Sequence, residues 1–179
     1  NIDFITFVLF LISYNPVNMK HLFFLLLILL PLSGHSQQQG DNIIKLSDDI
    51  SLIKLSDKAY VHISVTEIGS FGKVASNGLI LIDNGDGILF DTPVTNEQTQ
   101  KLVEWVKDSL NTNISKFIPN HWHKDCMGGL EYLNRRGIES YANKMTIDIA
   151  REKGLPMLQH SFKDSLLLHL NSIQIECYY

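Results

Sequence analysis

The residues best able to do chemistry lie together in Asn120-His121-Trp122-His123-Lys124-Asp125-Cys126-Met127-Gly128-Gly129. In extended backbone alternate side chains point the same way, so His121, His123 and Asp125 are expected to converge on one volume. Two neutral imidazoles and a carboxylate are donors that zinc accepts, and a catalytic zinc keeps one coordination position open for water. Chance His-x-His pairs are the plain competitor to that reading. The residues after the triplet favour a metal loop: Gly128-Gly129 permits a tight turn, and Leu130, Tyr132 and Leu133 give a short helical face that stops at Gly137. A ligand loop running straight into a helix holds its side chains rigidly. The chemistry implied is zinc-assisted hydrolysis.

The elements that must position this loop are legible around it. An apolar strand over residues 114–118 delivers the chain to His121, and loops that follow strands are where ligands sit in layered α/β folds. Upstream, Thr95 with Gln98 resembles a capping box, and Leu102, Val103, Val106 and Leu110 form the apolar stripe of a helix ending near Asn111. Residues 79–83 and 88–91 flank the turn signal Asn84-Gly85-Asp86-Gly87, a hairpin expected to be buried on both faces. The pentapeptide Ile44-Lys45-Leu46-Ser47-Asp48 recurs nine residues later as Ile53-Lys54-Leu55-Ser56-Asp57, too short a period for a solenoid and better read as neighbouring strands with Ser-Asp turns. Residues 59–66 alternate Tyr60, His62, Ser64 and Thr66 against Val61, Ile63 and Val65, which places His62 on an exposed polar side. Between Glu67 and Asn77, Gly69 and Gly72 flank Phe71, as a flap over an apolar substrate or as a plain hairpin connection. Downstream, the pattern predicts a strand over 138–142, a helix over 143–153 capped by Asn143 and closed by Gly154, and a hairpin of 166–170 with 173–178. His160 in a loop and His169 in a strand have no companion motif and read as structural.

The composition is 45% hydrophobic and 19% charged over 179 residues, the balance of one globular domain. The formal charge is -4 and no basic run exceeds the pair Arg135-Arg136, which argues against a nucleic-acid partner. From Met19 a positive start, an apolar run over 22–30, Pro31 and small residues make a secretory signal peptide over 19–36, cut after Ser36. Each apolar run falls short of the roughly 20 residues that span a bilayer. Residues 1–18 then read as upstream in-frame or extra leader sequence, and 37–179 as the domain. The expected product is a periplasmic monomer, free of the membrane after signal cleavage, with Cys126 and Cys177 as free thiols, one beside the metal loop and one packed.

Several of these motifs in order, Ser76-Asn77-Gly78-Leu79-Ile80, Asp91-Thr92-Pro93, Leu102-Val103-x-Trp105, His121-x-His123-x-Asp125-Cys126-Met127-Gly128-Gly129 and Tyr141-Ala142 with Thr146, resemble the metallo-β-lactamases, specifically subclass 1 of class B. Cys126 separates the chain from glyoxalase II, lactonases and the third β-lactamase subclass, which carry His after the Asp, and His121 separates it from the second subclass. The resemblance implies an αββα sandwich of which this chain is the first part, and a site of two zinc ions when complete. His121 and His123 match two ligands of the first zinc, and Asp125 a ligand of the second that also orients the attacking hydroxide. Asp91 matches a carboxylate that supports the metal loop, and Phe71 lies in the region of a mobile substrate flap. The remaining ligands, a His in a Gly-rich loop, a Cys in a Gly-Gly-Cys run and a final His, are expected beyond Tyr179, so the fragment is expected to be inactive by itself. The reaction implied for the full enzyme is hydrolysis of a β-lactam amide, carbapenems included, without a serine nucleophile; Ser76 reads as a loop residue. The rival readings are a thioesterase or lactonase of the same fold, and a non-catalytic periplasmic zinc-binding module.

Overall fold

The duplicated pentapeptides become neighbours in a sheet: β1 (Ile43–Lys45) pairs antiparallel with β2 (Ile50–Ser56), Ile44 opposite Leu52. This computed structural model describes residues 42–179. The signal peptide expected at 19–36, its cut after Ser36 and the sequence before it lie outside the described residues. From β2 the sheet grows by antiparallel hairpins through β3 (Ala59–Glu67), β4 (Lys73–Asp83) and β5 (Asp86–Phe90). The turn between β4 and β5 is two residues, Asn84 at φ 49 and Gly85 at φ 80, the primed geometry that matches strand twist.

The chain then crosses over the sheet through α1 (Asn96–Leu110) and returns as β6 (Asn113–Ile118), parallel to β5. Thr95 caps the helix, accepting from the Gln98 amide at 3.2 Å, and Asn111 closes it at φ 48. Only half of the expected capping box forms. The Gln98 side chain turns away and donates to Asp49 Oδ2 and to the Val65 carbonyl, both at 3.0 Å, which ties the start of α1 to the hairpins. Leu102 and Val106 on this helix are fully buried, worth about 1.5–3 kcal/mol each.

After β6 come α2 (Lys124–Met127), α3 (Leu130–Arg135), β7 (Glu139–Asn143), α4 (Lys144–Glu152) and the short β8 (His160–Phe162), with β7 and β8 continuing the sheet in parallel. The eight strands lie side by side in chain order, and β9 (Ser165–Leu170) with β10 (Ile173–Tyr178) form a separate antiparallel pair. Leu102, Leu130, Leu133 and Ile147 from the helices pack with Leu52, Ile80 and Phe117 in one core. Leu168, Leu170 and Ile175 of the second sheet pack with Ile88 and Ile118 in another. The result is an α/β layering of helices, large sheet and second sheet, in keeping with the expected sandwich. Asp83 pins the second sheet to the first: its Oδ2 accepts from the Ser172 amide at 2.8 Å and hydroxyl at 2.6 Å, while Lys58 holds Oδ1 at 2.7 Å. These contacts hold its carboxyl at about 2, below the usual 3.8.

Three expectations fail for a tertiary reason. His62 is 1% exposed, not on a solvated face. Its cross-strand partner is Gly78, which has no side chain, so the imidazole folds over that gap and the row Tyr60, His62, Ser64 turns inward while Val61, Ile63 and Val65 remain half-buried. Ser76 sits in β4, its hydroxyl 3.0 Å from that of Ser64, and not in a loop. His160 begins β8 and stacks on Tyr141 at 4.7 Å between ring centroids. The expectation of two-faced burial holds for Ile88 and Leu89, whereas Leu79, Leu81 and Ile82 are half-buried.

Candidate metal centre

Strand β6, an inner strand between β5 and β7, ends at Ile118, and the chain then bends through residues 120–123. His121 and Trp122 lie in a bend, His123 caps α2, and Asp125 is in that helix's first turn. The run is therefore not extended throughout, as simple alternation suggested. Asp125 comes back toward His121 because the chain bends over 120–123 before it enters the turn of α2, and its Oδ1 lies 3.9 Å from His121 Nε2.

His121 Nε2 and His123 Nδ1 are 2.9 Å apart, their rings nearly perpendicular. His121, Asp125 and Cys126 present donor atoms all within 4.8 Å of one another. Two ligands on a tetrahedral zinc with bonds of about 2.0–2.1 Å stand roughly 3.3 Å apart, so the 2.9 Å between His121 and His123 is near what one shared ion requires, and Asp125 stands beside that pair, 3.9 Å from His121. The His and Asp donors thus fit a zinc ion by type and by spacing. Cys126 is buried beside them, its Sγ 3.3 Å from His121 Nδ1. Burial, and then the Asp91 and Asp125 carboxylates, push its thiol well above the usual range. Neither Cys126 nor Cys177 is in a disulfide.

Behind the loop, Asp91 adopts φ 56, a left-handed conformation outside Gly. That turn aims its carboxylate at the loop, where Oδ1 accepts from the Asn120 amide at 2.6 Å. Burial raises the Asp91 carboxyl pKa against the opposing pull of the Asn120 amide, Cys126 and His121. Thr92, in sequence no more than the middle of the Asp-Thr-Pro motif, makes a clamp. Its amide donates to the Cys126 carbonyl at 2.9 Å and its hydroxyl accepts from the Gly129 amide at 2.9 Å.

The reason for Gly128-Gly129 is also different from the one expected. Neither has a positive φ, at -62 and -96. Both are places of close approach: a Cβ on Gly128 would lie 2.0 Å from the Val94 carbonyl oxygen, and one on Gly129 would lie 1.9 Å from Thr99 Oγ1. These contacts press the loop against the start of α1.

Phe71 is 83% exposed at the tip of the β3–β4 hairpin, which pairs without a break to Glu67 opposite Lys73. A cleft of about 610 Å³ runs from this tip, along Ile68, Val74 and Ser76, to Lys124 and Asp125. A second pocket of about 310 Å³ is lined by Trp122, Glu97 and Leu155 among others. No His or Asp donor lines it, whereas Asp125 lines the first cleft.

No family model matches the chain. The metallo-β-lactamase type 2 of Bacteroides fragilis is 50% identical over 161 residues, which cover 90% of this chain and 63% of that protein. The metallo-β-lactamase type 2 of Pseudomonas aeruginosa is 34% identical over 71% of this chain and 52% of its own length. A solved metallo-β-lactamase from Pontibacter korlensis superposes with a TM-score of 0.68 at 28% identity, over 73% of this chain and 60% of that one. The chain thus spans between half and two thirds of the relatives it matches. With shared fold and shared sequence together, the chain is a homologue of the class B metallo-β-lactamases.

Proposed function

We propose that this chain carries the first part of a zinc site that hydrolyses the β-lactam amide, carbapenems included, in the manner of subclass 1 of class B. The observation that carries the reading is the approach of His123 and Asp125 to His121, with Asp125 also lining the cleft beside the β3–β4 hairpin. The substrate class follows from the relatives, which are metallo-β-lactamases.

His121 and His123 would hold the first zinc, and Asp125 would contribute to the second. When bound, zinc supplies a nucleophile at neutral pH and a Lewis acid for the lactam carbonyl. Asp125 orients the attacking oxygen by accepting its proton's hydrogen bond. Asp91 keeps Asn120, and with it the base of the loop, in place. Cys126 stands beside His121, its Sγ 3.3 Å from Nδ1 and 4.0 Å from Nε2. Phe71 closes over the apolar part of the substrate and excludes water there. We place the protein in the periplasm as a monomer, exported by the signal peptide at 19–36, with 37–179 as the hydrolase domain. Among the described residues no helix is long and apolar enough to cross a membrane.

The test is zinc titration against a chromophoric chelator, followed by turnover of nitrocefin beside thioester and lactone substrates by the protein that contains this chain. Saturable zinc binding lost in His121→Ala, with nitrocefin hydrolysed in preference to the esters, is the expected result. Turnover of the esters alone would sink the β-lactam reading, and zinc binding unaffected by His121→Ala would sink the site.

A further inference from the structure

The buried imidazole of His62 is not among the metal donors, yet it touches the residue that supports the metal loop. His62 Nε2 lies 3.0 Å from the Asp91 carbonyl oxygen. That oxygen only accepts, so Nε2 carries the proton and Nδ1 the lone pair. Among the described residues Nδ1 has no partner, although the side chain is sealed from solvent. A buried polar atom without a partner is costly, and a hydrocarbon side chain of similar size would fill the space without that cost. What distinguishes His62 from such a filler is its hydrogen bond to the backbone at Asp91.

The position of Asp91 explains why that bond matters. At φ 56 its backbone leaves the line of β5, its amide donates to the Ile118 carbonyl at 3.1 Å, and its carbonyl turns inward. Without a donor that carbonyl would be unpaired in the interior. His62 supplies the donor, and Gly78 supplies the room. A Cβ on Gly78 would lie 2.3 Å from His62 Nε2 and 2.3 Å from the Phe90 carbonyl oxygen. From the conformation so fixed, the Asp91 carboxylate holds the Asn120 amide at 2.6 Å, immediately before His121.

We propose that His62 is a positioning residue for the metal loop, acting through the Asp91 carbonyl and carboxylate on the Asn120 amide and so on the direction of His121. The part of this that concerns zinc rests on the reading given under Proposed function. The part that concerns the hydrogen-bond relay does not. Burial holds the imidazole at about 4, below the usual 6.5, so the neutral donor form persists at neutral pH.

The test compares three variants of the full chain. His62→Phe keeps the volume and removes the donor. His62→Gln places an amide nitrogen the same number of bonds from Cα as Nε2, and His62→Asn places it one bond short. The first readout, with no metal added, is hydrogen exchange of the Asn120 amide followed by NMR, with the Phe117 amide as a core reference. Asn120 protection should fall about tenfold in His62→Phe and His62→Asn and recover in His62→Gln, while Phe117 stays as in the parent. The second readout is zinc affinity by chelator competition, which should fall roughly 10–100-fold in the same two variants, the usual cost of losing an outer support, and recover with Gln. Should the Phe variant not fold, the Asn and Gln pair decides. Unchanged Asn120 protection in the donor-free variants, or no rescue by Gln, overturns the proposal. Zinc binding absent from the parent chain would instead remove the metal-site reading and leave the exchange result to decide the relay.

Discussion

Thr92 offers the sharpest energetic test of how the metal loop is held. Its side chain is fully buried, its hydroxyl accepts from the Gly129 amide at 2.9 Å, and the same hydroxyl donates to the Cys126 carbonyl at 3.3 Å. Thr92→Val preserves shape and removes both bonds. The Cys126 carbonyl remains paired, because the Thr92 amide donates to it at 2.9 Å. The Gly129 amide does not: it is left buried without an acceptor, and such a group costs about 1–3 kcal/mol. The middle of that range, about 2 kcal/mol, is roughly thirty-fold in the folding equilibrium. Urea denaturation of parent, Thr92→Val and Thr92→Ser chains measures it. With a slope of about 1–3 kcal/mol per M, the midpoint of the Val variant should fall by about 1 M, while Ser, which keeps the acceptor, should lose less than half as much. A midpoint within about 0.2 M of the parent at an unchanged slope would show that the Thr92 clamp does not hold the loop.

Three further outcomes are expected. Gly129→Ala drives a methyl into Thr99 Oγ1 at 1.9 Å and should cost about 3 kcal/mol or more, seen as a thermal midpoint roughly 6–12 °C lower; a change under about 2 °C would refute the close-packing account of this glycine. Phe71→Ala removes an 83% exposed ring, so stability should move by less than about 0.5 kcal/mol while KM for nitrocefin rises and kcat holds; equal loss in kcat would argue against a flap that only covers substrate. His62 is neutral and buried, with its pKa lowered to about 4 from 6.5. The unfolded chain therefore binds the extra proton first, and stability should rise with pH from about 4 to about 6.5, by on the order of 3 kcal/mol in full. Denaturation midpoints of parent and His62→Gln across that window should differ in slope, and parallel curves would refute the buried neutral imidazole.

The donors and their order were fixed by residue type. Two imidazoles and a carboxylate within five residues are a metal pattern whatever surrounds them. The helices and hairpins were equally legible, since Thr95 and Asn143 cap the helices they were expected to cap and Asn84-Gly85 turns where a primed turn was expected. These signals are local, carried by side chains that act on their own backbone. His62 shows the limit of that reading. Alternation in β3 divides the side chains into two rows, but the period of two is silent about which row meets the core. The missing side chain of Gly78 on the neighbouring strand and the inward carbonyl of Asp91 draw the polar row in. Asp125 reaches His121 because the chain bends over 120–123 before it enters the turn of α2, a bend that the triplet itself does not mark. Gly128 and Gly129 owe their identity to Val94 and Thr99 on another segment, not to their own dihedral angles. What the chain alone determined was which atoms could bind a metal. Which of them face one another, and what holds them there, depends on contacts between segments some thirty residues apart, and those exist only once the sheet has assembled.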